Sequence, residues 1–111
     1  MSKIPNIRGL ARKKPICYDP NQDRFITIDD IIEGKARIVS IDQLTPEEQK
    51  CLVIKRNKVG EEYTVQTISG PPRSREEVIK EIEAETEFGQ MTVQAEIMYL
   101  KDLIERIKEA L

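Results

Sequence analysis

From Val93 to Leu111 the apolar positions return every fourth and third residue: Val93, Ile97, Leu100, Ile104, Ile107 and Leu111. This is a heptad stripe, with Ile97, Ile104 and Leu111 at one seam position and Val93, Leu100 and Ile107 at the other. The pattern predicts a helix over 90–111, ~33 Å long at 1.5 Å per residue. Leu103 and Ala110 widen the stripe, and Met91, Ala95 and Met98 add apolar surface near its start. Just upstream, Ser74-Arg75-Glu76-Glu77 has the spacing of a capping box. It predicts a second helix from about 75 to 87, with Val78, Ile79, Ile82 and Thr86 inward and Phe88-Gly89 as its end. The two make a C-terminal helical hairpin. An apolar stripe at this spacing ordinarily packs on its own domain. The shorter helix covers barely half of the longer one, however, so part of the stripe is also expected to pair with another chain.

Before the hairpin the periodicity is shorter and mixed. Residues 24–28, Arg-Phe-Ile-Thr-Ile, read as a strand. Thr27 and Asp30 then have helix-start spacing, and Gly34 can close a short helix over 28–33. Ala36 to Ile41 alternates as a strand, with Arg37, Val39 and Ile41 on one face. Thr45-Pro46-Glu47-Glu48 is a strong helix start, with Pro in the first turn. The partly β-branched run Cys51-Leu52-Val53-Ile54-Lys55-Arg56 reads as a strand. It forms a hairpin with 62–68 across Asn57–Glu61. Gly70-Pro71-Pro72 is a hard break. The fold class that follows is α+β: a small antiparallel sheet with short helices, then the helical hairpin. The expected organisation is an arm over 1–20, a body over 21–70 and the hairpin over 71–111, the last packed as one domain with the body.

Charge changes this picture at the two ends. Residues 1–15 hold five basic side chains (Lys3, Arg8, Arg12, Lys13, Lys14) and no acid. Residues 76–111 hold ten acids against four bases, while the whole chain of 111 residues is nearly balanced at −2. Pro5, Pro15 and Pro20 keep the start extended. Ile4, Ile7, Leu10 and Ile16 give it apolar anchors, so the arm is expected to lie on something: its own domain, a second copy or a partner.

Composition excludes several chemistries. No histidine is present, which removes imidazole-based triads, ligands and neutral-pH switching. Cys17 and Cys51 lack Cys-x-x-Cys spacing and read as two buried thiols of a cytosolic protein. The segment Asp19–Asp30 places oxygen ligands at the first, third and fifth places of a calcium loop. Arg24 stands where that loop needs Gly, and Asp30 replaces the long bidentate Glu, so an ordinary turn is the better reading. The five glycines are scattered and form no phosphate-cradling loop. Neither cofactor nor metal is expected, and no enzymatic activity.

The expected function is that of a non-catalytic accessory or adaptor protein, self-associating or docking on a larger protein through Val93, Ile97, Leu100, Ile104, Ile107 and Leu111, with Glu96 and Lys101 flanking them. The alternative is a regulatory nucleic-acid-binding protein whose helices dimerise and whose Lys3, Arg8, Arg12, Lys13 and Lys14 contact phosphates. A third course for the arm is to anchor Ile4, Ile7, Leu10 and Ile16 in a groove of a larger assembly. No apolar run reaches the length of a membrane span. The first residues lack a signal-peptide core, so no membrane and a cytoplasmic location are the expectations.

Overall fold

The computed structural model describes residues 13–59, 63–66 and 70–110. The chain is α+β, with two small antiparallel sheets, short helices and one long C-terminal helix. Strand β1 (Pro15–Asp19) pairs with β2 (Arg24–Thr27) through a tight turn. Inside that turn Asn21 N–H donates to Asp19 Oδ1 at 2.9 Å, and Asp23 takes a left-handed φ of 48°. The end of the predicted arm is therefore ordered: Pro15, Ile16 and Cys17 are buried. Ile16 is a core residue here and not an anchor for something outside.

Three helix starts follow the capping logic of the sequence. Thr27 and Asp30 exchange hydrogen bonds at the start of α1 (Ile28–Ile32). Thr45 and Glu48 do the same for α2 (Pro46–Lys58), with Pro46 in its first turn. Ser74 and Glu77 do so for α3 (Arg75–Ala84). Each box satisfies two backbone donors that a helix end otherwise leaves open.

Residues 51–56 are helix, contrary to the strand expected from their β-branching. Residual helix propensity costs of Val and Ile are only a few tenths of a kcal/mol each. Against them stand a capped start, Lys55, Arg56 and Lys58 at the negative end, and Leu52, Val53 and Arg56 buried together on one face. With 51–56 helical, the hairpin across Asn57–Glu61 does not form. The later run contributes only β3 (Thr64–Val65) among the described residues. β3 pairs with β4 (Arg73–Ser74), across the Gly70-Pro71-Pro72 break. Ala36–Ile41 is not a strand either. Ala36, Ile38 and Val39 rest against the core without a ladder partner, and Ile41 opens a 3-10 turn over Ile41–Gln43.

Helix α4 (Glu87–Ala110) begins earlier than 90. Glu85 closes α3 in the left-handed conformation at φ 55°. The N–H groups of Glu85 and Thr86 bond back to Ile82 and Glu81 carbonyls at 3.1 and 3.2 Å. Thr86, expected inside the preceding helix, caps the next one: its Oγ1 accepts from Gly89 N–H at 3.1 Å. Gly89 ends nothing. It lies in the first turn of α4, buried against α3, where a Cβ would fall 2.2 Å from the Glu81 carbonyl oxygen.

One core runs through these elements. Ile16, Cys17, Ile26 and Ile28 from the N-terminal hairpin and α1 meet Leu52 and Val53 of α2. Ile31 of α1, Ile41 and Leu44 around the 3-10 turn, Val78 and Ile82 of α3, and Ile97, Leu100, Leu103, Ile104 and Ile107 of α4 complete it. α4 packs on α3, α2 and β1. Among the described residues, no helix is long and apolar enough to cross a membrane.

Candidate interaction face and polar cleft

The heptad positions of α4 point inward. Ile97, Leu100, Ile104 and Ile107 are buried in the chain's own core, and Val93 packs partly against it. Leu111 lies outside the described residues. On the opposite face Met91 and Met98 stand seven residues apart with Ala95 between them, so helical geometry places all three on one side. Met91 is 62% exposed, Met98 71% and the adjoining Tyr99 52%; Ala95 is exposed too. Large apolar side chains this open, gathered on one helix, differ from the scattered apolar surface found on any protein. Exposed Glu87, Asp102, Glu105 and Glu109 surround them along the same helix. Two of these acids have local ion pairs, Asp102 with Arg106 at 2.9 Å and Glu105 with Lys108 at 3.6 Å.

Beside Tyr99 the surface drops into a cleft of about 380 Å3, lined by Lys14, Ile16, Arg56, Ala95, Glu96 and Leu103 among others. Its polar floor joins three elements. Arg56, only 9% exposed, donates from Nη1 to the Pro15 carbonyl at 2.7 Å. Its Nε approaches Glu96 Oε1 at 3.7 Å. That is a charge contact too long for a hydrogen bond, and Nε has no hydrogen-bond partner. Asn57 Nδ2 donates to Glu96 Oε2 at 3.0 Å and to the Val53 carbonyl at 2.8 Å. Tyr63 donates its hydroxyl to Asn57 Oδ1. Burial pushes the Glu96 carboxyl above its ordinary range, although Arg56, Asn57 and Lys14 pull the other way. Burial likewise lowers the Arg56 guanidinium, opposed by Glu96. Desolvation outweighs attraction on both sides of this pair, as is common for loose buried ion pairs.

Of the basic residues singled out in the sequence, Lys3, Arg8 and Arg12 lie outside the described residues. Lys13 is exposed, and Lys14 is half-buried on the cleft wall. Cys17 is buried, which raises its thiol pKa, whereas Cys51 is exposed, correcting the expectation of two buried thiols. The acids of the candidate calcium loop have structural partners: Asp23 accepts from Tyr18, and Asp30 completes the α1 cap and pairs with Arg24 at 3.1 Å. Among the described residues, no three His, Cys, Asp or Glu side chains gather to hold a metal. A larger recess of about 700 Å3 lies between the β1–β2 turn and residues 37–40, but its Arg37, Gln43 and Lys108 are all exposed.

Sequence reasoning noted Met91, Ala95 and Met98 only as extra apolar surface, and Glu96 only as a flank of the seam. It missed Arg56, Asn57, Tyr63 and Tyr99. The signal for the outer face was present: a second apolar spacing of four and three, offset from the first. The Arg56–Glu96 pairing had none. No protein-family model, curated protein or solved structure matches this chain.

Proposed function

We propose that this is a non-catalytic accessory protein acting through protein–protein contact, with the outer face of α4 as its docking surface. The supporting observation is the coincidence of Met91, Ala95, Met98 and Tyr99 on one exposed helical face. Methionine suits such a role because its unbranched, polarizable chain adapts to an irregular partner surface. The flanking acids choose the partner's chemistry: apolar side chains carried among basic ones. A second copy fits less well. Pairing two such faces antiparallel about Ala95 brings Glu87 of one close to Asp102 of the other, and like charges oppose that docking.

The test is affinity capture from the native host with the full chain tagged in a surface loop, with and without nuclease. Wild type is compared with Met98→Glu. A protein partner that survives nuclease and is lost on Met98→Glu is the expected result. Identical capture by both chains overturns the proposal. Recovery of nucleic acid that vanishes on Lys13→Glu/Lys14→Glu favours the alternative of a phosphate-binding arm instead.

A further inference from the structure

Arg56 ends on the floor of the cleft with a donor unused. The residue is 9% exposed, and its Nη1 is turned to the Pro15 carbonyl. Its Nε–H has no hydrogen-bond partner, because Glu96 Oε1, 3.7 Å away, is too far to accept. A buried charged donor left in this state is costly, and in native proteins such a group ordinarily meets an acceptor. Turning Nη1 to Pro15 leaves the Nε–Nη2 edge of the guanidinium, the side that receives a carboxylate through two parallel hydrogen bonds. Charge around that edge is unbalanced. Lys14 stands half-buried on the wall of the same cleft. Two cations therefore face the single carboxylate of Glu96, and burial favours the neutral form of that carboxylate. Water at Nε–H would supply an acceptor but no charge. The cleft, at about 380 Å3, has the size of a small-molecule site. Ile16, Ile28 and Leu103 are core side chains that close its base. The apolar surface open to a ligand is that of Ala95 and of the Tyr99 ring, both exposed. Arg56 Cζ lies 5.9 Å from the centroid of that ring, so a group held by Arg56 has an aromatic face beside it.

We propose that this cleft binds a small organic carboxylate with a planar apolar body, its carboxylate on Arg56 Nε and Lys14 and its body against Tyr99 and Ala95. The carboxylate supplies both the missing acceptor and the missing negative charge. A planar body suits the Tyr99 ring, since aromatic groups gain from stacking beyond the area they bury. Inorganic phosphate would meet the charge and leave that ring uncovered, whereas an uncharged aromatic would cover the ring and leave Nε–H unpaired. Glu96 acts against the ligand: ionised, it competes for the same edge of Arg56 and repels the incoming carboxylate. The site uses Tyr99 but neither Met91 nor Met98, so it stands whether or not the outer face docks a partner.

The probe is benzoate, titrated into the full isotope-labelled chain at neutral pH, and the readout is the assigned Arg56 Nε–H resonance in the proton–nitrogen correlation spectrum. A saturable downfield movement of that proton is expected, with the Ala95 and Tyr99 amides moving alongside. Lys14→Gln should weaken binding roughly fivefold, the upper range for a partly exposed ion pair. Glu96→Gln should tighten it by a similar factor, because the amide still accepts from Asn57 and removes the competing charge. Opposite shifts from two conservative changes are not what a purely structural cluster gives. Acetate, which lacks the body, should bind more weakly than benzoate, and benzamide, which lacks the charge, should leave the Nε–H in place. An Nε–H unmoved by benzoate overturns the inference. So does benzamide or acetate binding as well as benzoate, an unchanged affinity in Lys14→Gln, or a weaker one in Glu96→Gln.

Discussion

Helix α4 carries two apolar stripes of similar spacing and opposite fate. The inward stripe, Ile97, Leu100, Ile104 and Ile107, closes the core against α2, α3 and β1. The outward one, Met91, Ala95 and Met98, stays open. The inner residues are branched aliphatics with few rotamers, which suit a close-packed interior. The outer large side chains are methionines, which suit a changing or removable cover. Apolar periodicity alone does not separate the packed stripe from the open one here; side-chain type on each stripe does. Substitutions on the two faces should separate accordingly.

The largest effects belong to the inner stripe. Leu100 is fully buried, so Leu100→Ala removes packed methyl groups and leaves a cavity, costing about 2–5 kcal/mol. Ile104→Glu should do worse, because it places a charge where no partner can reach it. Sequence reasoning alone would take Ile104→Glu as a probe of assembly. In this fold it is a probe of folding, and chemical denaturation should show a collapsed midpoint or no cooperative transition.

Gly89→Ala comes next and tests the junction from which both stripes start. The added Cβ meets the Glu81 carbonyl oxygen at 2.2 Å and Ile82 Cα at 2.9 Å, both backbone atoms that cannot rotate away. Overpacking of this kind costs about 1–3 kcal/mol. Ala improves helix propensity by up to about 1 kcal/mol, so the clash wins only if α3 cannot shift. A lowered thermal midpoint is expected, and a raised one would mean that α3 and α4 sit farther apart than described.

What the sequence revealed depended on the range of the interaction. The capping boxes at Thr27, Thr45 and Ser74 are closed within three residues, so each was legible and each formed. The inner stripe was legible because one helix sets its spacing. Residues 51–56 were misread because local β-branching was weighed above the Thr45 cap and the burial of Arg56, which depends on β1 and α4. Gly89 was read as a stop because its close approach to Glu81 exists only once α3 and α4 pack. The Arg56–Asn57–Glu96 cluster joins α2 to α4 and had no signature in either segment.

That cluster yields a pH prediction. Folding raises the Glu96 pKa, chiefly through burial, so the fold favours its protonated form. Its contribution to stability is therefore fully present below the ordinary carboxylate range and lost as pH rises through the elevated folded-state value. Glu96→Gln removes this dependence. Relative to Glu96→Gln, wild type should gain stability as pH falls from 7 toward 4, read from denaturation midpoints at each pH. The opposite trend would show that attraction to Arg56 outweighs desolvation at this site.

The smallest stability effect is expected at Met98, and it carries the most weight for function. Met and Glu have nearly equal helix propensity. A glutamate at 98 lies four residues before Asp102, a like-charge spacing that costs about 0.2–0.5 kcal/mol, and three before Lys101, which offsets part of it. Met98→Glu should therefore stay within about 0.5 kcal/mol of wild type, as exposed positions do. Partner capture should nevertheless fall. A thermal midpoint lowered as far as that of Leu100→Ala would place Met98 in the core. The outer face would then not exist as a free surface, and the proposed partner would have no site there.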